Sequence, residues 1–342
     1  MKEDWQQTLL PLLEKTLEKR LSLCEDSDSG ALRLFNGFTE GYPSLTVDLY
    51  SNTVLLMAQK TSGEAAEALL KTAGYFYTKH LPRVDCVVAK QRTATSDRLK
   101  QGVILHGDDP AAQVTENGAV YAIDLLMNQD SSLYIDTRNL RAWMTQYGKG
   151  KEVLNTFAYT GSLGVAALAG GAARVVQIDR NRKFLEMAQK SAGLNGLNDK
   201  SMKCIPVDFF VGVGQIKQRR ESFDIVVLDP PYFSVTDKGR VDLVTESARL
   251  VNKVRPLVKD GGKLVVVNNA LFLSGADFVH GLEELGRGGF LSIDETIPIP
   301  EDFTGYPETR VGRPPADPAP FNHSTKIVVL TVRQKGKTDD RQ

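Results

Sequence analysis

Val153-Leu-Asn155-Thr-Phe157-Ala-Tyr159-Thr-Gly161-Ser-Leu-Gly164 reads as a buried strand that turns through a glycine-containing loop into a helix starting at Leu163. Downstream, Val175-Val-Gln-Ile, Lys203-Cys-Ile-Pro-Val, Phe223 to Leu228 and Lys263 to Val267 are further short apolar runs. Helical stretches, Lys183 to Asn195 and Val241 to Leu257, alternate with them. Strands without a polar face, separated by helices, predict an α/β fold, a doubly wound, Rossmann-like parallel sheet covered on both sides. Ligands of such sheets bind outside the carboxyl ends of the strands. The residues just past each strand are therefore the candidates for chemistry.

Upstream the pattern differs. Leu9, Leu10, Leu13, Leu17 and Leu21 form a helical stripe between residues 3 and about 22, so residues 1–30 read as an N-terminal helix. Residues 31–125 read as a small α+β domain. It holds β-like runs at Leu45-Thr-Val-Asp-Leu and Val54-Leu-Leu-Met, a helix from Gly63 to Ala73, and a strand at Cys86-Val-Val-Ala. Two alternating runs around Asn117-Gly118 predict a hairpin with a type I′ turn. Residues 126–334 then make up the α/β domain, and residues 335–342 a flexible tail.

Length and composition narrow the function classes. The 342 residues suit about two domains. At 42% hydrophobic and 25% charged residues, the balance is that of an ordinary soluble globular protein. Lys+Arg and Asp+Glu both number 42, so charge alone does not coat nucleic acid, and any such contact needs a local patch. The stretch from 81 to 101 offers one, with Arg83, Lys90, Arg92, Arg98 and Lys100. No apolar run approaches the roughly 18 residues of a membrane helix, and the acidic start, Glu3-Asp4, is unlike a secretory signal. Cys24, Cys86 and Cys204 are odd in number and far apart, which suits a reducing, cytoplasmic setting without disulfides or zinc. His80, His106, His280 and His323 show no metal or triad spacing.

At the strand ends a ligand takes shape. Tyr159 stands where a dinucleotide fingerprint has its first glycine, so the loop suits a bulkier, less anionic group than pyrophosphate. Asp179, past the second strand, can accept from both ribose hydroxyls, and Asp208, past the third, from an adenine amino group. Each acid alone is equally a helix cap. Together they describe an adenosine without pyrophosphate, which points to S-adenosylmethionine. The fourth strand ends in Asp229-Pro230-Pro231-Tyr232, where two prolines stiffen the corner and remove two amide donors. Tyr232 offers a flat face for a base.

With these residues the chain resembles the class I S-adenosylmethionine-dependent methyltransferases, and more narrowly the bacterial large-subunit ribosomal RNA methyltransferase family. Arg33-Leu-Phe-Asn-Gly-Phe and Tyr42-Pro-Ser-Leu-Thr-Val-Asp48 resemble that family's small domain. Asp130-Ser-Ser-Leu-Tyr-Ile-Asp136-Thr-Arg138 is similar to its D-x-G-x-F-x-D-x-R segment, with Ser132 in place of the glycine. The resemblance implies cofactor roles for Arg138, Asn155, Phe157, Tyr159, Gly161, Asp179, Asp208 and Asp229. It implies methyl-transfer roles for Asp229, Pro230, Pro231, Tyr232 and Asn268, with ribosomal RNA as partner and neither metal nor membrane.

Two departures bear on the target base. Cytosine-modifying members carry an N-terminal PUA module, for which residues 1–30 leave no room, and a Ser-Cys-Ser segment where this chain reads Val267-Asn268-Asn269-Ala270. Carbon methylation of cytosine needs a thiolate adduct. The Asn-Asn pair resembles the branch that methylates N7 of guanine, a nitrogen with its own lone pair. The expectation is in-line transfer to guanine, with a small molecule, a protein side chain or ribosomal cytosine as alternatives. A noncatalytic RNA-binding scaffold and an NAD-dependent dehydrogenase both conflict with the diproline corner. The N-terminal helix either packs in cis or bridges a homodimer.

Overall fold

The computed structural model describes residues 5–26, 30–236, 238–243 and 246–334. The expected tail at 335–342 and the acidic residues Glu3 and Asp4 lie outside the described residues. The chain forms two compact units, 1–138 with 300–313 and 139–299 with 314–342.

In the first unit, β1 (Ala31–Phe35), β2 (Leu45–Tyr50), β3 (Thr53–Ala58), β4 (Cys86–Gln91) and β5 (Val103–His106) form one sheet in chain order. Neighbours are antiparallel except β3 and β4, which run parallel. A parallel pair needs a crossover, and helix Gly63–His80 supplies it. The helix runs a full two turns past the expected Ala73 because Phe76 and Tyr77 continue its buried face. The predicted stripe at the N-terminus becomes helix Trp5–Glu18, with Leu9, Leu13 and Leu17 in the same apolar core as Leu34, Val47 and Leu56. β6 (Gln113–Glu116) and β7 (Ala119–Ala122) form the expected hairpin, and Asn117 and Gly118 both take positive φ (51° and 76°), as a type I′ turn requires.

Helix Arg138–Tyr147, which the sequence reading missed, leads into the second unit at Asn139. Its sheet takes the order β10 (Met202–Pro206), β9 (Arg174–Asp179), β8 (Glu152–Thr156), β11 (Phe223–Leu228), β14 (Val258–Asn268), β16 (Lys326–Val332), β15 (Leu291–Thr296). The first five strands are parallel, and β16 is antiparallel to both neighbours. Winding proceeds outward from β8 through β9 to β10 and then restarts on the other side of β8 with β11. That reversal opens a crevice at the carboxyl ends of β8 and β11. A short hairpin, β12 (Phe233–Thr236) and β13 (Gly239–Asp242), occupies the start of the expected helix from Val241, so that helix is confined to Ser247–Val254.

The unit boundary falls at Arg138 rather than near 126, and 300–313 return to the first unit. Hydrogen bonds explain both. The Lys90 ammonium donates to the Asn128 and Asp130 carbonyls at 2.7 and 2.6 Å, and the Tyr50 hydroxyl donates to Leu133 O at 2.8 Å. Asp302 accepts the Arg33 amide at 2.9 Å and forms an ion pair with Arg138. Its carbonyl accepts from Arg20, whose guanidinium also donates to Glu40 at 2.8 Å.

Arg20 and Glu40 are both fully buried. Glu40 further accepts from the Asn36 amide and the Thr309 hydroxyl. Removing one partner of such a pair leaves a stranded charge. Glu40→Ala is expected to cost about 3–5 kcal/mol in urea unfolding, and Arg20→Met combined with Glu40→Leu to recover most of that loss. Equal stability of Glu40→Ala and wild type would contradict the assignment.

Candidate active site

The loop after β8 is held in an unusual backbone. Phe157, Tyr159 and Gly161 take φ of 55°, 52° and 75°, alternating with residues of negative φ. Two non-glycine residues in the left-handed region cost energy, which neighbours must offset. The Ala158 amide donates to Ile178 O at 2.8 Å and the Tyr159 amide to Asp179 Oδ2 at 2.9 Å. The Phe157 ring stacks on Phe209 at 4.4 Å, and the Tyr159 ring meets Phe184 edge-on at 4.5 Å. Tyr159 thus stands in the place of a fingerprint glycine and also adopts a glycine-like conformation. Gly161 itself has no alternative, because a Cβ there would lie 2.4 Å from the Ala188 Cβ.

Asp179 ends β9. Its Oδ1 accepts from the Asn181 amide at 2.8 Å while Oδ2 takes the Tyr159 amide, so the carboxylate is fixed and each oxygen keeps a lone pair. Burial pushes its pKa up, against the opposing pull of these two amides and Arg180. A partly dehydrated acceptor of this kind suits a pair of hydroxyl donors. Asn155, buried in β8, donates to Gln177 Oε1 at 3.0 Å, and its own Oδ1 is buried without a partner. Asp208 caps helix Phe209–Gln218, accepting the Phe210 amide at 2.8 Å. The cap reading of Asp208 is therefore realised.

On the other side of the crevice, Asp229 and Pro230 continue β11 while Pro231 and Tyr232 emerge into solvent, Tyr232 at 49% exposure. Phe233, Leu271 and Phe272 are exposed as well. Sequence reasoning did not single out Leu271 and Phe272, whose apolar character in the loop just past β14 was the available signal; Phe233 follows directly on the Asp229 to Tyr232 corner and opens β12.

Asn268 differs from expectation. It is fully buried, donates to Leu243 O and Ser247 Oγ at 3.3 and 3.2 Å, and accepts the Ala270 amide at 2.9 Å. With both ends of its amide engaged, it is a structural tie between β14 and helix Ser247–Val254. Asn269, the first residue past the strand, is half-buried with an Oδ1 that has no partner. The strand-end rule itself selects 269 over 268. Arg138 is likewise committed elsewhere, to Asp302 and to the Ala31 carbonyl at 2.8 Å in the first unit. Of the other expected residues, Asn155 lies in β8 and Asp179 ends β9, while Phe157, Tyr159 and Gly161, Asp208, and Asp229 to Tyr232 follow β8, β10 and β11. His323 accepts the Thr325 amide within its own loop. Cys204 sits on β10, an edge strand separated from β14 by three others, and burial pushes its thiol up to about 11. Among the described residues no cluster of histidine, cysteine or acidic side chains could hold a metal, and no helix is long and apolar enough to cross a membrane.

Beneath the Asn269 turn lies Lys326, paired with Asn268 across β14 and β16. Its ammonium is buried and, among the described residues, donates only to the carbonyls of Ala270 and Ser324, at 3.0 and 2.6 Å, and burial lowers its pKa to about 8. Between that value and the ordinary lysine value of 10.5 the unfolded chain holds more protons, so stability rises with pH across this window. Lys90, shifted to the same value, is controlled by comparison with Lys326→Met. Relative to that variant, wild type should gain at most about 1 kcal/mol per pH unit between pH 8 and 10.5 in urea titrations. A pH-independent difference would refute the shift.

The family model of S-adenosylmethionine-dependent methyltransferases matches residues 93–305. A ribosomal RNA large subunit methyltransferase I from Alteromonas mediterranea is 30% identical over 260 residues, covering 74% of this chain and 64% of that protein. YwbD of Bacillus subtilis is 28% identical over 311 residues, or 87% of this chain and 77% of that protein. The chain spans 59 to 64% of the length of the first curated relatives it matches. Among solved structures, SMU.776 in complex with SAH superposes with a TM-score of 0.81 at 20% identity, over 94% of this chain and 80% of that one. The fold is thus the Rossmann-like class I methyltransferase fold with an additional N-terminal α+β part, and the chain belongs to the family of S-adenosylmethionine-dependent methyltransferases.

Proposed function

We propose that the protein transfers a methyl group from S-adenosylmethionine to a base of large-subunit ribosomal RNA. The observation that carries this reading is the convergence, at the switch point between β8 and β11, of a fixed carboxylate and an exposed aromatic corner. Asp179, held by the Tyr159 and Asn181 amides, would receive the ribose hydroxyls. The left-handed loop at 157–161, above the unpartnered Asn155 Oδ1, would seat the amino-acid end, and Asp208 would meet the adenine edge. When bound, the cofactor supplies an electrophilic methyl on a sulfonium. Tyr232 would stack the acceptor base beside it, Pro230 and Pro231 would hold the corner rigid, and Asp229 and Asn269 would offer acceptors to the base's N–H edge. Alignment and exclusion of water are the work left to the chain. Ribosomal RNA as substrate is supported by the names of the curated relatives. Three unpaired cysteines suit a reducing, cytoplasmic setting.

Two observations bear on the nature of the base. No cysteine occupies the loops after β11 or β14, which favours a ring nitrogen, guanine N7, as acceptor. The curated relatives are named for large-subunit ribosomal RNA and not for a base, which keeps ribosomal cytosine as the alternative acceptor.

Calorimetry should show S-adenosylmethionine binding that Asp179→Ala weakens at least tenfold. Tyr232→Ala should abolish transfer with cofactor affinity unchanged. Labelled-methyl assays on ribosomal RNA from cells lacking the protein, followed by nucleoside mass spectrometry, decide the base. 7-Methylguanosine supports the nitrogen reading and 5-methylcytidine the cytosine one. Methyl transfer to protein or small molecules with none to RNA would overturn the RNA assignment.

A further inference from the structure

The basic stretch at 81–101 has not yet found a role. Most of its charge is already spoken for within the first unit. Lys90 is buried under backbone carbonyls, Arg92 pairs with Asp130 at 2.5 Å, and Lys100 faces Asp97 at 3.9 Å. Arg98 is different. It is exposed, and its guanidinium makes no ion pair or hydrogen bond among the described residues.

Arg98 lines a cavity of about 640 Å³ enclosed by helix Gly63–His80, β4, the short helix Asp97–Gln101 and β5. That size falls within the range of small-ligand sites. Leu70, Ala89 and Val103 give it an apolar lining. Gln91, at the end of β4, contributes the decisive group. Only 6% of the residue is exposed, its side chain makes no hydrogen bond, and its Oε1 is buried without a partner. A buried acceptor left unpaired is uncommon in folded proteins and carries a desolvation penalty that a donor on a ligand would cancel. Neighbouring Gln59 donates to Thr46 Oγ1 instead.

We propose that this cavity is a second RNA-binding site, which receives one unpaired nucleotide of the substrate. The flat base enters the apolar slot and donates an N–H to Gln91 Oε1, and a backbone phosphate pairs with Arg98. The combination selects this ligand chemistry. Apolar side chains beside the orphan acceptor of Gln91, with Glu64 and Ser96 as further acceptors in the lining, fit a planar heterocycle bearing N–H groups, and the uncommitted Arg98 guanidinium fits its phosphate. The proposal rests on the reading of RNA as substrate.

The test uses the full chain and a fluorescein-labelled 12-nucleotide single-stranded RNA, with anisotropy measured at several salt concentrations. Gln91→Met removes the acceptor and no protein contact, so its melting temperature should match wild type while RNA affinity falls at least fivefold. Arg98→Ala should weaken binding similarly and flatten the salt dependence by about one counterion. In both variants S-adenosylmethionine affinity and kcat should hold while KM for RNA rises. RNA affinities within twofold of wild type in both variants overturn the proposal, as does wild type that binds no RNA. Protection of the cavity by guanosine or adenosine monophosphate with RNA binding unaffected also overturns it, in favour of a small-molecule site. If wild type methylates RNA and the cavity variants do so equally well, only this proposal falls. If no RNA is methylated, the functional reading falls first.

Discussion

A single hydrogen bond organises the second unit: the Tyr159 amide donating to Asp179 Oδ2. It ties the loop leaving β8 to the end of β9, and so converts the parallel register of two strands into the shape of a binding surface. The loop takes left-handed turns at two bulky residues, Phe157 and Tyr159, which is unfavourable in an isolated chain. The strained backbone persists because its amides are used and its rings are packed against Phe209 and Phe184. The carboxylate is shaped by the same bond. Two amides orient Asp179, while burial makes it a stronger acceptor for hydroxyls than a solvated acid would be.

The strand order then decides where that surface can act. Because β11 lies beside β8 rather than beyond β10, the ends of β9, β8, β11 and β14 stand in a row. Asp179 and the Asp229-Pro-Pro-Tyr corner are thus placed on either side of β8. The β14 side is stiffened from below. Asn268 ties the strand end to helix Ser247–Val254, and Lys326 grips the carbonyls of Ala270 and Ser324. These groups are buried because they hold the turn that presents Asn269, Leu271 and Phe272. A lysine without a carboxylate partner is a costly way to satisfy carbonyls. It is found here at the edge of the crevice beyond the strand ends and not in the apolar centre of the sheet.

The first unit is closed by a different device. Residues 300–313 return to it through a network of charges in which Asp302 serves Arg138, Arg33 and, through its carbonyl, Arg20. Glu40 neutralises Arg20 and gathers the Asn36 amide and the Thr309 hydroxyl. Such a network specifies one arrangement of chain segments distant in sequence, since any other leaves a buried charge unpaired.

Periodicity and turn chemistry made much of this legible from the sequence. Apolar runs located the five parallel strands to within a few residues, Asn117-Gly118 located the hairpin, and the residues past each strand named Asp179, Asp208 and Asp229 to Tyr232. These features are local, because a buried strand or a left-handed turn imposes its demand on the residues that form it. Misreadings arose where partners are remote. Asn268 and Asn269 look alike in sequence, and only the packing of β14 against helix Ser247–Val254 shows which one is buried and bonded. Arg138 is an ordinary cation at a helix start until Asp302, 164 residues later, accepts hydrogen bonds from its guanidinium. The sequence by itself determined the elements and the chemistry available at their ends. Only the tertiary structure decided which of those polar groups stay at the crevice and which are consumed by distant parts of the chain, because hydrogen-bond satisfaction in a buried setting depends on every segment that reaches it.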